Sequence, residues 1–251
     1  MDTQNVLLDA GEMLKRAWTL YKQKWSLFAQ VMIVPLILAV ILSFSSGGKT
    51  SFDVHPIAMS NWGMYVLLTI VYVIIYSVGQ LALMYSVKGS VENQADMSVE
   101  SYYKTAWSNI RSYWWVLFLS GIICLGGFIL LIVPGIIFAI WYCLASFILI
   151  SENLKGMNAL NKSKEYVKGR WGKVFWRILV VAFASMIASI VIGIISRIFG
   201  SAGMALGQIA SGLVITPVVV IYTFMMYINL KETVSTNTAP VIPVATTPTQ
   251  E

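Results

Sequence analysis

The side chains that could perform acid–base chemistry are few and scattered along the chain. The single histidine, His55, stands two residues after Asp53, and together they come nearest to a general acid–base pair. Such a pair needs a nucleophile or a metal-bound water beside it, and no motif places either there. We therefore interpret His55 as a loop histidine. The sequence predicts that the protein is not an enzyme, with no catalytic residue, no metal site and no cofactor.

Two cysteines, Cys124 and Cys143, are the other reactive groups. Both fall in a long apolar run, and a turn between them would bring them to similar depth on adjacent helices. A disulfide is one outcome of that arrangement, and two buried thiols acting as small apolar side chains are the other. We favour the thiols, and neither outcome identifies a compartment.

The composition explains why residues capable of chemistry are sparse. Hydrophobic residues make up 58% of the 251 residues and charged residues 11%, against about 45–50% and about 25% in soluble domains. A helix needs about 20 apolar residues to cross a bilayer. Runs of 19 residues or more without Asp, Glu, Lys or Arg cover 25–48, 54–87, 112–151, 178–196 and 198–230.

These runs predict an all-α polytopic membrane protein with six transmembrane helices in three hairpins. Lipid cannot satisfy an open backbone hydrogen bond, and the runs lack the alternation of barrel strands. The run 112–151 is long enough for two crossings, and each other run provides one. The predicted helices are 26–46, 63–87, 113–133, 136–152, 174–199 and 209–230.

The turn between the third and fourth predicted helices is assigned to Val133, Pro134 and Gly135, because proline interrupts a helix. The fourth helix is short and ends at Glu152, so a re-entrant hairpin that does not cross fully is an alternative. Both versions leave the two termini on the same side. We interpret Glu152 as a helix-end anchor in a local ion pair with Lys155, and not as a catalytic acid.

Lysine and arginine predict the orientation, because they concentrate in the cytoplasmic segments of membrane proteins. All of the 17 except Lys49 and Arg197 lie in the N-terminal segment, in 88–112, in 153–177 or in the tail. Most tryptophans fall near the same boundary. The expected location is a bacterial inner membrane with both termini in the cytoplasm.

A basic, aromatic segment precedes every odd-numbered predicted helix, at 14–25, 103–114 and 160–171. Apolar residues recur at three- and four-residue steps, which is typical of an amphipathic helix lying in the membrane plane with its apolar face among headgroups. Gapless alignment superimposes three tryptophans and three cations: Trp25, Trp114, Trp171, Lys22, Arg111 and Lys168. With Arg170, these are the predicted lipid-headgroup contacts.

The alignment predicts an internal threefold repeat in which an interfacial helix precedes each two-helix hairpin. The units are about 5–88, 95–152 and 153–232, and together they form one membrane domain over 1–232. The tail 233–251 is rich in threonine and proline and is expected to be a disordered cytoplasmic segment.

Residues 132–176 resemble the membrane-domain family named after glycerophosphoryl diester phosphodiesterases, and related bacterial multi-pass families of unknown function. The resemblance rests on Val133-Pro134-Gly135-Ile136, Glu152, Ala159-Leu160, Ser163 and Gly169-Arg170-Trp171. In the namesake members the domain precedes a soluble phosphodiesterase domain with metal-binding acids and histidines. With one histidine in this chain, the resemblance implies a membrane module and not the enzyme.

The leading hypothesis is a non-enzymatic module that organises lipids or partner proteins at the cytoplasmic face. A basic surface beside membrane helices fits anionic phospholipids better than nucleic acid. Protein partners or a homo-oligomer are also open. The alternative is a passive pathway for a small solute or amphiphile, lined by Ser77 and Gln80 or by Ser185 and Ser189.

Overall fold

The computed structural model describes residues 9–45, 62–94 and 97–238, which are almost entirely helical. The helices in these ranges are α1 Ala10–Ser45, α2 Trp62–Val91, α3 Val99–Leu130, α4 Ile132–Tyr142, α5 Ala145–Glu152, α6 Met157–Val167, α7 Trp171–Ile198, α8 Gly200–Ala210 and α9 Thr216–Thr238. A π-helical turn, Ser211–Ile215, joins α8 to α9. His55 and Asp53 lie outside the described residues.

Six helical stretches of the described chain are long and apolar enough to cross a membrane, which confirms the predicted fold class. They are Ala10–Ile41, Val66–Val91, Val99–Leu130, Ile132–Glu152, Trp171–Ile198 and Ala205–Val234. Each contains most of one predicted span. The fourth is made of two short helices, α4 and α5, with a break at Cys143 and Leu144.

The basic ends of the hairpins meet at one end of the bundle, which we call the basic end. Lys88, near the end of α2, donates from Nζ to the carbonyl of Ile150 in α5 at 3.3 Å. Arg170, just before α7, donates to the carbonyl of Thr233 in α9 at 3.5 Å. The first contact joins the first hairpin to the second, and the other joins the two ends of the third hairpin.

The three amphipathic segments differ in how they enter their spans. In α1 the backbone leaves helical geometry at Lys24 (φ −116°, ψ 19°), so a kink separates the first segment from its span. The third segment is a separate helix, α6, and Gly169 follows it with φ +79°. The second segment is continuous with its span, because α3 runs unbroken from Val99 to Leu130. The prediction of a separate helix is therefore wrong for the second unit.

The turn between α3 and α4 lies at Leu131, where the backbone is extended (φ −164°, ψ 153°). Pro134 and Gly135, the predicted turn residues, instead belong to the first turn of α4. Proline is accepted there because the first amides of a helix have no intrahelical acceptor. The assignment of the turn to Pro134 and Gly135 was therefore wrong by a few residues.

Two glycines let α3 and α4 approach closely after this turn. A Cβ added to Gly127 would lie 2.7 Å from Cδ2 of Phe138 and 2.9 Å from the Cα of Gly135. A Cβ added to Gly135 would meet the ring of Phe128 at 2.5 Å. Small residues at such crossings allow backbone contact between membrane helices.

The last hairpin turns at Phe199 and Gly200, and Gly200 has φ +63°. The glycine-rich stretch that follows, which lies between the predicted helices 174–199 and 209–230, is helix α8. Gly203 and Gly207 pack against the backbone and hydroxyl of Ser196, where a Cβ would not fit. Their role is close packing of α8 on α7.

The final helix, α9, extends to Thr238. The six residues from Thr233 are therefore helical, and the expectation that disorder begins at 233 is wrong for them; 239–251 lie outside the described residues. The carbonyl of Thr233 accepts from Arg170, and its hydroxyl donates to the carbonyl of Asn229 at 2.6 Å. Tertiary contact thus continues the helix past the apolar run.

The buried core lies toward the basic end, and apolar side chains of the other half are exposed. In α2, for example, Leu81, Ala82 and Leu83 are fully buried, whereas Leu67 is 61% and Ile70 is 54% exposed. Exposed apolar surface on this scale would be a liability in water and is expected in lipid.

Candidate functional site

A carboxylate at the end of α5 joins three helices at the basic end. Oε1 of Glu152 accepts hydrogen bonds from the hydroxyls of Tyr166 in α6 at 2.7 Å and Tyr227 in α9 at 2.8 Å. Nζ of Lys231 in α9 lies 3.5 Å from the same oxygen, and the Glu152 side chain is only 16% exposed. We call these four residues the Glu152 cluster.

The cluster corrects the partner predicted for Glu152. The carboxylate pairs with Lys231, on the last helix, and not with the neighbouring Lys155. Burial and the hydrogen bond to the carboxylate raise the pKa of Tyr166, so this phenol stays protonated and keeps donating. A carboxylate with three donors on one oxygen is suited to holding helices together.

A second contact fixes α6 against the break in the fourth span. Ser163 Oγ in α6 donates to the carbonyl of Trp141 at 2.6 Å, one of the last carbonyls of α4, where no intrahelical donor is expected. Lys164 lies over the Trp141 ring, with Nζ 4.4 Å from the centroid. A side chain of α6 thus satisfies a backbone carbonyl at the point where the fourth span is interrupted.

The apolar stripes of the amphipathic segments face the protein, which corrects their predicted placement among headgroups. In α6, Ala159, Leu160 and Val167 are fully buried, and in α1 Met13 and Ala17 are fully buried. These buried side chains pack against the rest of the protein and not against a surrounding phase. Several tryptophans of the same segments remain exposed, among them Trp18 and Trp107.

The predicted headgroup residues separate into an exposed and a partly buried group. Trp25 is 60% and Trp114 is 40% exposed, whereas Trp171 is half-buried and stacks on Phe175 at 5.2 Å. Lys22 is exposed and lies over the ring of Trp18, at 5.5 Å from the centroid.

Among the predicted cations, Arg111 and Lys168 are exposed. Arg170 is engaged with the carbonyl of Thr233. In the third segment, Trp171 and Arg170 are thus engaged in contacts, whereas Lys168 is exposed like the cations of the first two segments.

One exposed cleft brings two of the predicted residues together. Arg111, Trp114, Trp115, Leu117 and Phe118 line a shallow, open space of about 550 Å³ on the outer face of α3. Trp115 and Phe118 stack with their ring centroids 5.8 Å apart. We call this the α3 cleft.

The side chains proposed for a solute pathway make local contacts. Ser77 Oγ donates to the carbonyl of Val73 at 2.7 Å, and Ser185 Oγ donates to that of Ala182 at 2.9 Å. Gln80 donates to the hydroxyl of Tyr76 at 3.0 Å, and Ser189 lies on an exposed face of α7. Hydroxyls that bond one turn back along their own helix are common in membrane spans and need no pore.

Cys124 and Cys143 are both free, which agrees with the prediction of two thiols. No group of three or more His, Cys, Asp or Glu side chains in the described ranges is arranged to hold a metal ion.

Tyr166, Tyr227 and Lys231 were missed as partners of Glu152 by the sequence analysis. One signal was available in the sequence. Tyr227 and Lys231 are one helical turn apart near the end of the last apolar run, so a hydroxyl and an ammonium share one helix face and need a polar partner. Comparison with protein-family models, with curated proteins and with solved structures returned no match to this chain.

Proposed function

We propose that this protein is a non-enzymatic membrane module that gathers anionic phospholipids around its basic end. In this proposal the basic end faces the cytoplasm of a bacterium, and the spans cross the inner membrane. The observation that carries it is a belt of exposed tryptophans and unpaired cations at the end of the bundle where the Glu152 cluster holds the helices together.

The cations of the belt have no carboxylate partner in the described part of the chain, so their charge is free to act outward. They are exposed and comprise Lys104, Arg111, Lys155, Lys168 and Lys173. Each Lys or Arg near an anionic membrane surface contributes about 1 kcal/mol of attraction. Several of them on one rim favour a local excess of anionic lipid.

The tryptophans of the belt supply the contacts at headgroup level. Trp107 is 62% and Trp176 is 59% exposed, comparable with Trp25. Indole rings favour the boundary between hydrocarbon and water, where their apolar body and their N–H are both accommodated. Exposed indoles and cations at the same end of the bundle match the headgroup layer of a phospholipid membrane.

The resemblance of residues 132–176 to a membrane-domain family is compatible with this role. The residues that carry it include Glu152 and Ser163, which hold α6 in place. We infer that this pattern preserves the basic end and does not form a catalytic site.

The proposal is tested by the lipids that accompany the full chain out of the membrane. The protein is purified in a mild detergent, and its bound phospholipids are quantified by mass spectrometry beside those of the source membrane. We expect phosphatidylglycerol and cardiolipin to be enriched over phosphatidylethanolamine. The same proportions in both samples would contradict the proposal.

A variant with Lys104, Lys155 and Lys173 all changed to Gln removes three unpaired cations without touching a described contact. We expect the enrichment to fall in this variant. The matched control changes both partners of two ion pairs, Arg16 with Glu12 and Lys162 with Glu165, to Gln. It leaves the net charge unchanged and should keep the wild-type lipid profile.

A further inference from the structure

We propose that the α3 cleft is a discrete binding site for one anionic phospholipid, with the phosphate on Arg111 and the acyl chains on Leu117 and Phe118. This rests on the proposed function, because it assigns one position within the belt. The cleft differs from the rest of the belt because a cation, two indoles and two apolar side chains follow one another along the helix. A phospholipid presents its phosphate, its glycerol region and its acyl chains in the matching order.

The order follows from the helix. Arg111, Trp114, Trp115 and Phe118 are three, four and seven residues apart and share one face of α3. At 1.5 Å per residue the axial distance from Arg111 to Phe118 is about 10 Å. That length carries a ligand from the headgroup level into the hydrocarbon, where the long charge-free run of α3 begins.

The head of the site is a cation with no partner of its own. Arg111 is exposed and has no ion pair or hydrogen bond in the part of the chain that the structure describes. A guanidinium presents parallel N–H groups that match two phosphate oxygens, which a lysine cannot do. A lipid phosphodiester supplies both the charge and the geometry.

The walls of the site are held in place. The backbone at Gly156, between α5 and α6, approaches Trp115 so closely that an added Cβ would lie 3.2 Å from the indole Nε1. Gly156 has φ +55°, which glycine adopts without strain. The turn therefore backs the indole, and the exposed Lys155 just before it adds a second positive charge beside the cleft.

The apolar part suits acyl chains. Leu117 is 43% and Phe118 is 56% exposed, and Trp115 is 55% exposed and stacked on Phe118. These surfaces lie below the cation along the helix. Chains that descend from a phosphate on Arg111 would run over them, whereas a free phosphate ion would leave them uncovered.

The site is tested by counting bound lipid on the intact, detergent-solubilised protein by native mass spectrometry, with dioleoyl phosphatidylglycerol and dioleoyl phosphatidylcholine as probes. We expect one phosphatidylglycerol to bind before the others. Arg111→Ala should weaken that first step by about tenfold, as expected for loss of a charge-assisted hydrogen-bond pair. Arg111→Lys should give an intermediate loss.

The matched control is Lys104→Ala, which removes an equal charge of the belt two turns earlier on the same helix, outside the residues that line the α3 cleft. It should change the first step by less than about twofold, since a distant surface charge contributes little. Trp115→Leu should weaken the first step while leaving every charge in place. Thermal unfolding of each variant verifies that the fold is retained.

Three results would overturn the site. Equal losses for Arg111→Ala and Lys104→Ala, with phosphatidylglycerol still preferred, would mean a diffuse belt without a discrete position, and the proposed function would survive. Equal binding of both lipids by the wild-type chain would reject the site and the proposed function together. Inorganic phosphate that competes as well as lipid would show that the acyl part contributes nothing.

Discussion

Glu152 Oε1 and Lys231 Nζ lie 3.5 Å apart and join the end of the fourth span to the end of the sixth. The same oxygen receives the hydroxyls of Tyr166 and Tyr227. A carboxylate so placed holds α5, α6 and α9 in one arrangement, and the exposed belt depends on that arrangement.

Removal of the Glu152 charge should therefore destabilise the basic end. We expect Glu152→Ala to lower the free energy of unfolding by about 1–3 kcal/mol, because two tyrosine hydroxyls and a lysine lose their shared acceptor. The measurement is reversible unfolding in detergent, followed by tryptophan fluorescence.

The control for this change is Glu165→Ala in α6. Its pair with Lys162 at 3.0 Å is largely exposed, and such pairs contribute about 0–1 kcal/mol. A loss for Glu165→Ala as large as that for Glu152→Ala would show that the cluster has no special role.

Tyr166 should make stability depend on alkaline pH in a defined direction. The raised pKa of this phenol means that its contribution is complete below the ordinary tyrosine value of about 10 and is lost as the pH rises above it. The stability gap between wild type and Tyr166→Phe should therefore narrow from pH 9 to pH 11. A constant gap over that range would contradict the hydrogen bond to Glu152.

Gly127 should be intolerant of any side chain, because α4 occupies the space beside it. Gly127→Ala brings Cβ to 2.7 Å from Phe138 and 2.9 Å from the backbone of Gly135, and such overpacking costs about 1–3 kcal/mol. Thermal unfolding should show a lower midpoint.

The neighbouring glycine provides the control. Nothing lies within 4 Å of a Cβ added at Gly126, so Gly126→Ala should leave the midpoint unchanged or raise it by helix propensity. Equal destabilisation by the two substitutions would contradict the close crossing of α3 and α4.

The tip of the α3–α4 hairpin should be shielded from water-soluble reagents, and this bears on whether the hairpin crosses fully. Ile129 is 84%, Leu130 is 75% and Leu131 is 68% exposed, and such apolar side chains favour hydrocarbon. In a background without Cys124 and Cys143, we expect Leu131→Cys to resist a membrane-impermeant maleimide in intact cells.

The reference for this experiment is Lys49→Cys, at a position between the first and second predicted helices, which we expect to be labelled under the same conditions. Rapid labelling of both positions would mean that the α3–α4 tip emerges into water, and a fully crossing hairpin would then be established.

The six spans could be predicted because runs without charge, such as 112–151, can be read without knowledge of tertiary contacts. The headgroup candidates were chosen in the same way, since Arg111 and Trp114 stand at the end of such a run, and they stay a prediction. Local signals of this kind identify depth in the membrane. They do not identify neighbours.

What was missed depends on contacts between distant parts of the chain. Glu152 was given the nearest lysine, Lys155, because nothing local indicates that α9 returns to the same place. Pro134 was assigned to a turn, although proline is also common in the first turn of a helix. The stripe on α6 was assigned to lipid because periodicity defines a buried face and not what covers it.

The most direct test of the lipid role uses spin-labelled lipids in proteoliposomes, where electron paramagnetic resonance separates lipid held against protein from lipid in the bulk. We predict a larger motionally restricted fraction for spin-labelled phosphatidylglycerol than for phosphatidylcholine, and a difference that shrinks as salt screens the charges of the belt. Equal restricted fractions for the two lipids at low salt would contradict it.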